Sequence, residues 1–244
     1  MIWNLVNTGE NTGIYNMEYD LNSVENCLSD NAYFRIYRWK PYCISLGYTQ
    51  SIEDVDVEKA GKDNIDVVRR PTGGRAILHA DEITYSVVMP LTDKFTAKEV
   101  YTKISLALVK GLKEYDLALK NVELENIQPD FAEIHKQPSG MICFASTAKS
   151  EIKFNGKKLV GSAQRKIGRF LLQHGSILCG NYHRNLIKYL KNIDEYSYKV
   201  IKNEFSAKTI ELDAIVNDKI NYEKLTECLI TGFKKEWGIE FLSV

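Results

Sequence analysis

No stretch of this sequence reaches the roughly 20 consecutive apolar residues that a membrane-spanning helix needs. The opening run MIWNLVNTGENTG has neither a basic leader nor an apolar core of signal-peptide length. A soluble cytoplasmic protein is the expectation. Cysteine is scarce and scattered: Cys27, Cys43, Cys143, Cys179 and Cys228 are odd in number and contain no CxxC pair. That pattern argues against a disulfide framework or a zinc site and fits a reducing compartment. Neither sign of charge is in excess, with 32 Lys plus Arg against 32 Asp plus Glu. The balance excludes the broad basic face that nucleic-acid binding uses and leaves room for a local basic pocket. Internal repeats, low-complexity tracts and Pro/Gly-rich linkers are also missing, so residues 1–244 read as one domain.

What is present is the ordinary balance of a globular chain, 44% hydrophobic and 26% charged over 244 residues. A chain of that length buries roughly 70–75% of the surface its unfolded form exposes, so no metal or disulfide staple is required. IWNLV reads as a strand, and Tyr15 to Leu28 as a helix with Met17, Leu21, Val24 and Leu28 on its apolar face. Tyr33–Tyr37 and Cys43–Gly47 read as two strands joined by a turn at Trp39-Lys40-Pro41, with further strands over Asp66–Arg69, Ala76–Leu78 and Ile83–Met89. Val100, Ile104, Leu108 and Leu112 mark one face of a helix from Ala97 to Tyr115. Residues 121–142 are irregular and polar, the character of a functional loop. Asn155-Gly156 between two alternating runs is the turn chemistry of a tight hairpin. Phe170–Leu178 supplies another strand, and helices near Asn181–Lys191 and Tyr222–Trp237 close the chain. Hairpins mixed with helices predict an α+β fold on a largely antiparallel or mixed sheet rather than a βαβ nucleotide-binding fold.

Three places carry residues suited to chemistry. In Arg69-Arg70-Pro71-Thr72-Gly73-Gly74-Arg75, adjacent glycines allow close approach to the backbone while three arginines make an electropositive cradle for a carboxylate, phosphate or thioester carbonyl. The alternative is a plain glycine turn with arginines on the surface. No GK[ST] or GxGxxG follows, so it is not a nucleotide loop. His79 follows, beside Asp81 and Glu82, and His174 lies in the apolar run LLQHGSIL; either is an acid/base candidate or a structural histidine. No metal-ligand set converges. Cys143, in GMICFAS, ends the long loop, and Lys158 lies fifteen residues on, across the hairpin. A thiolate beside an ammonium is an activated nucleophile; the alternative is a packed cysteine and an exposed hairpin lysine.

RRPTGGRAILHADEITYSVV closely resembles the signature of the biotin/lipoate ligase and octanoyltransferase superfamily. CFAS, NGKKLVGSAQ and LLQHGSIL resemble its LipM-type octanoyltransferase branch, and FRIYRWKPYCISLGYTQ looks like the family's early strand pair. The resemblance runs to about residue 180. It implies a mixed-sheet α/β catalytic domain like that of biotin ligase and class II tRNA synthetases. It also implies a two-step reaction, from octanoyl-acyl carrier protein to an enzyme cysteine, then to a lysine of a lipoyl domain such as the glycine-cleavage H protein. Cys143 matches the family's nucleophile and Lys158 its partner lysine. By the same likeness Arg70, Thr72, Gly73, Gly74, Arg75, His79, Gly161, Ser162, Ala163, His174 and Gly175 line the acyl tunnel and the thioester. No metal and no cofactor are implied, beyond the phosphopantetheine arm on the donor. Ala80 and Ala145-Ser146-Thr147-Ala148 depart from the family's usual residues. An ATP-dependent lipoate–protein ligase, an amidotransferase drawing on H protein, and a non-enzymatic relative are the competing readings.

Overall fold

The computed structural model describes residues 1–126 and 150–243. The expected nucleophile Cys143 lies outside the described residues, as does most of the polar loop. Two sheets organise what is described. The larger contains β1 (Ile2–Asn11), β2 (Asn31–Trp39), β6 (Glu82–Pro90), β7 (Val122–Leu124), β8 (Ile152–Phe154), β9 (Lys157–Ile167), β10 (Phe170–Leu178) and β11 (Phe241–Ser243). Its order is β11-β1-β2-β6-β10-β9-β8-β7. β1 runs parallel to β2 and β11, and the remaining pairs are antiparallel, so the sheet is mixed as expected. The smaller sheet has β3 (Cys43–Leu46) between β4 (Asp66–Arg69) and β5 (Ile77–His79).

Helices α1 (Gly13–Glu25), α2 (Val57–Lys62) and α3 (Ala97–Tyr115) come before the hairpin. Helices α4 (Glu195–Lys208), α5 (Leu212–Val216) and α6 (Tyr222–Trp237) come after it. α3 is specified at both levels that matter. Thr96 and Glu99 form a reciprocal capping box, and Val100, Ile104, Leu108 and Leu112 are all buried. This face and that of α6 cover one side of the large sheet, where Phe34 stacks on Phe233 with ring centroids 3.8 Å apart. Each such fully buried side chain contributes roughly 1.5–3 kcal/mol. A second core lies between the small sheet and the segment 181–190, with Ile201 and Phe205 of α4 closing it.

Four sequence expectations change. The first helix ends at Glu25, and Leu21 and Leu28 are exposed, at 37% and 61%. Its buried face carries Asn16 and Asp20 with Met17 and Val24, because the two polar side chains hold the buried guanidinium of Arg35. The strands on either side of Trp39-Lys40-Pro41 are not partners: β2 pairs with β6 and β3 with β4 and β5. Asn181–Tyr189 is a 3-10 segment rather than an α-helix. α4 and α5 were not expected, since α4 buries only Ile201 and Phe205 and is otherwise polar. The hairpin is as read: Asn155 (φ 48°) and Gly156 (φ 80°) take the two left-handed positions of a type I′ turn between β8 and β9.

Candidate active site

The glycine loop is built around Arg70. β4 lies parallel to β3, which brings the Arg70 guanidinium against Ser45, donating to its carbonyl (2.9 Å) and Oγ (3.1 Å). The other nitrogens donate to the carbonyl of Gly73 (3.1 and 2.9 Å) and to that of Arg75 (2.7 Å). Arg70 thus holds the loop's shape from inside, at 2% exposure. Thr72 is buried with its hydroxyl 2.6 Å from His174 Nε2. Gly74 has φ 95°, while a methyl group added to Gly73 would meet nothing within 4 Å. The backbone at Gly73 therefore faces open space. From β9, Arg165 donates to the Pro71 carbonyl (2.8 Å) and covers the Tyr48 ring at 3.9 Å, tying the loop to the hairpin strand.

Behind this loop lies a narrow, mostly apolar cleft with a cavity volume of about 20 Å³. Of the expected residues it gathers Arg70, His79, Gly161, Ser162, Ala163, His174 and Gly175, and it adds Met17, Tyr37, Trp39, Ser45, Ile77 and Thr84. Thr72 stands behind His174. Gly175 is small by necessity, since a Cβ there would sit 2.6 Å from the Gly161 carbonyl and from Ser162 Oγ. Tyr85 Oη, which lies 2.7 Å from Ser162 Oγ and accepts from Gln173, keeps that wall rigid.

Both histidines are fully engaged. His79 stacks on Trp39 at 4.1 Å, with Nε2 2.7 Å from Ser45 Oγ and Nδ1 2.8 Å from Glu82. His174 Nδ1 lies 3.1 Å from Asp20 Oδ2, opposite its contact with Thr72. Burial lowers the His174 pKa against the opposing pull of Asp20, which leaves it neutral near pH 7. It then donates Nδ1–H to Asp20 and accepts from Thr72. Asp20 feels burial raising its pKa. The bond with His174, the Arg35 charge and the Ser86 hydroxyl together outweigh burial and hold the carboxyl below its ordinary value.

Lys158 lies outside this cleft wall. A bulge at Leu159 breaks the alternation of β9: Ile152 pairs with Val160 but the next residue, Lys153, pairs with Lys158, so Lys158 lies on the face opposite Val160. It is 1% exposed and its Nζ lies 2.9 Å from Glu151 Oε1. The same carboxylate oxygen accepts from the Ser162 backbone N–H at 3.4 Å, so Lys158 is one carboxylate away from the cleft. That Ser162 N–H is therefore occupied as an oxyanion donor, which leaves the open backbone around Gly73. The Cys27, Cys43 and Cys179 thiols are buried, and burial pushes all three up, Cys27 to about 11. They are inert at neutral pH.

Sequence reasoning did not pick out Asp20, Tyr37, Trp39, Ser45 or Glu151. A polar residue three positions from Met17 on a helix face was the available signal for Asp20. A carboxylate one residue ahead of β8 was the signal for Glu151.

An arginine-braced glycine loop over an apolar cleft on a mixed sheet defines a catalytic domain of the lipoate–protein ligase class. Residues 13–234 match the lipoyl protein ligase A/B catalytic domain. The chain is 33% identical to the octanoyltransferase LipM of Staphylococcus epidermidis, covering 98% of this chain and 88% of that protein. It is 36% identical to that of Clostridioides difficile over 85% of this chain and 76% of that one. The bipartite lipoate protein ligase of Thermoplasma acidophilum superposes over the whole chain and 88% of its own length, with a TM-score of 0.78 at 21% identity, and so shares the fold. The chain belongs to the lipoyl protein ligase A/B catalytic-domain family, in its octanoyltransferase branch. Among the described residues no helix is long and apolar enough to cross a membrane.

Proposed function

We propose that this octanoyltransferase takes an octanoyl group from octanoyl-acyl carrier protein onto Cys143 and passes it to a lysine of a lipoyl domain, such as glycine-cleavage H protein, in lipoate biosynthesis. The observation that carries the reading is Lys158, a buried cation beside the cleft and fifteen residues beyond Cys143 in the chain. In the first step the Cys143 thiolate attacks the carrier's thioester. A C–S bond forms to Cys143, the C–S bond to phosphopantetheine breaks, and the departing thiolate takes a proton from water. The Lys158 charge favours the thiolate, more strongly in a dry site. In the second step the acceptor's neutral amine attacks the Cys143 thioester, a C–N bond forms, the nitrogen gives up one proton to water, and the electron pair of the broken C–S bond returns to Sγ. The octanoyl chain lies in the cleft between Trp39, Ile77 and Gly175, and the loop backbone around Gly73 faces the thioester oxygen.

The test is incubation of the purified protein with octanoyl-acyl carrier protein in the absence of ATP, followed by intact mass. The expected result is one added octanoyl group, released by hydroxylamine and missing in Cys143→Ala. Modification of a lipoyl domain only when ATP and free acid are supplied would assign the chain to ligase chemistry instead.

A further inference from the structure

Most of the cleft wall is locked in place. Tyr37 donates to Asp20 (3.3 Å) and lies under the Arg35 guanidinium, 3.9 Å from its ring. Trp39 is stacked on His79 and donates to Thr84 (2.6 Å), which in turn donates to Glu82 (2.5 Å). Ser45, Arg70, Ser162 and both histidines are bonded as described above, and Gly161, Ala163 and Gly175 have no side chain that can turn. Among the described lining residues, packing alone holds Ile77 and Met17. Ile77 is branched at Cβ and sits on β5 within the second core, which restricts its rotamers. Met17 has three rotatable bonds and a polarizable thioether, the kind of side chain that gives way and refills a space of changing shape.

The helix under Met17 is pinned on both sides of it. Gly13, one turn earlier on the same face, donates its N–H to Asp66 (2.9 Å). A Cβ at Gly13 would lie 2.6 Å from Cys43 Sγ and 2.8 Å from Val68 Cγ1, so α1 is pressed against the small sheet. Asn16 donates to the carbonyls of Asn11 and Arg38, both at 3.1 Å. Asp20 accepts from Arg35 (2.9 Å) and from Ser86 (2.8 Å). The backbone of α1 can therefore neither withdraw from the cleft nor sink into it. Met17 itself is 6% exposed and packs with Tyr37, Trp39 and Cys43.

A cavity of about 20 Å³ has room for about one water molecule. An eight-carbon chain enters only where a lining side chain yields space. We propose that Met17 is the specificity-determining residue of the acyl cleft: its displacement admits the acyl chain, and its volume sets the length of chain that fits. The inference rests on the reading that the octanoyl chain lies in this cleft, and deepens it. Because α1 is pinned, a smaller residue at position 17 leaves a cavity in place of a collapsed wall. An apolar cavity of that kind stays dry and takes up apolar groups, here the further methylenes of a longer chain. A larger residue takes the same space away from the end of the chain.

The test is a chain-length series. kcat/KM is measured for transfer of hexanoyl, octanoyl, decanoyl and dodecanoyl groups from acyl carrier protein to a lipoyl domain, for wild type, Met17→Ala, Met17→Val and Met17→Phe. Wild type should prefer octanoyl. In Met17→Ala the decanoyl-to-octanoyl ratio should rise about tenfold or more, the discrimination that a methylene or two carries in an apolar pocket. Met17→Val should move the ratio the same way by a smaller step, and Met17→Phe should move the preference toward hexanoyl. A merely structural role lowers all chain lengths together and leaves these ratios where they were. Ratios unchanged from wild type therefore overturn the proposal while leaving octanoyl transfer intact. Failure of wild type to transfer octanoyl from acyl carrier protein overturns the functional reading and the proposal with it. Thermal melts show whether the variants keep the fold. If Met17→Ala does not fold, unchanged ratios in Met17→Val overturn the proposal by themselves.

Discussion

Asp20, in the first helix, and His174, in the tenth strand, meet at 3.1 Å beneath the cleft, 154 residues apart in the chain. Their contact ties α1 to the far side of the sheet and orients the imidazole toward Thr72.

That contact predicts acid sensitivity. His174 has its pKa lowered by burial, so the unfolded chain binds more protons than the folded one as pH falls through the ordinary histidine value of about 6.5. Asp20, also lowered, adds a loss in the same direction below its ordinary value of 3.8. Stability should therefore be full near pH 7 and decline on acidification, by up to about 1.4 kcal/mol per pH unit for the histidine. Urea unfolding of wild type and His174→Gln at several pH values checks this. The variant should lose the slope between about pH 6.5 and pH 5.

Arg35 is the buried hub of the same cluster, donating to Asp20 (2.9 Å), the Asn16 side chain (2.6 Å) and Thr8 Oγ1 (3.0 and 2.9 Å). Arg35→Met removes the cation and leaves an uncompensated carboxylate, so a loss of about 3–5 kcal/mol is expected in equilibrium unfolding. A change below about 1 kcal/mol would mean that Asp20 is neutral in the folded protein.

Two glycines should respond oppositely to alanine. At Gly175 a Cβ collides with fixed backbone, so Gly175→Ala should destabilise by about 1–3 kcal/mol and close the cleft. At Gly73 the space is open, so Gly73→Ala should shift stability by less than about 0.5 kcal/mol. Melting temperatures separate the two. Impaired octanoyl transfer in Gly73→Ala at unchanged stability would mark that backbone as facing the ligand.

The elements that were readable from sequence are those whose local and tertiary preferences agree. α3 has its capping box and an unbroken apolar stripe, and Asn155-Gly156 allows a hairpin with no competing conformation. The misread elements are those where a buried polar network replaces apolar packing. On α1 the apolar stripe pointed to Leu21 and Leu28, whereas Asn16 and Asp20 face inward to satisfy Arg35 from β2. α4 was hidden because two buried side chains in fourteen residues leave almost no period. At the site, the glycine loop and the SAQ strand announced a cleft wall. The carboxylates behind His174 and Lys158 could not be assigned, because their partners come from remote strands.

β9 carries Lys158, the cleft residues Gly161 to Ala163 and the Arg165 brace in eight consecutive positions of one strand, with a bulge at Leu159. Neighbouring side chains on a strand point to opposite faces, and a slip of one residue exchanges every one of them. Gaining or losing a single codon between those positions would move or remove the bulge at Leu159 and so exchange the faces that Lys158 and the cleft lining take relative to one another. The length of this stretch is therefore as much a part of the inherited site as any side chain in it. Such a cleft is open to change by substitution and closed to change by insertion.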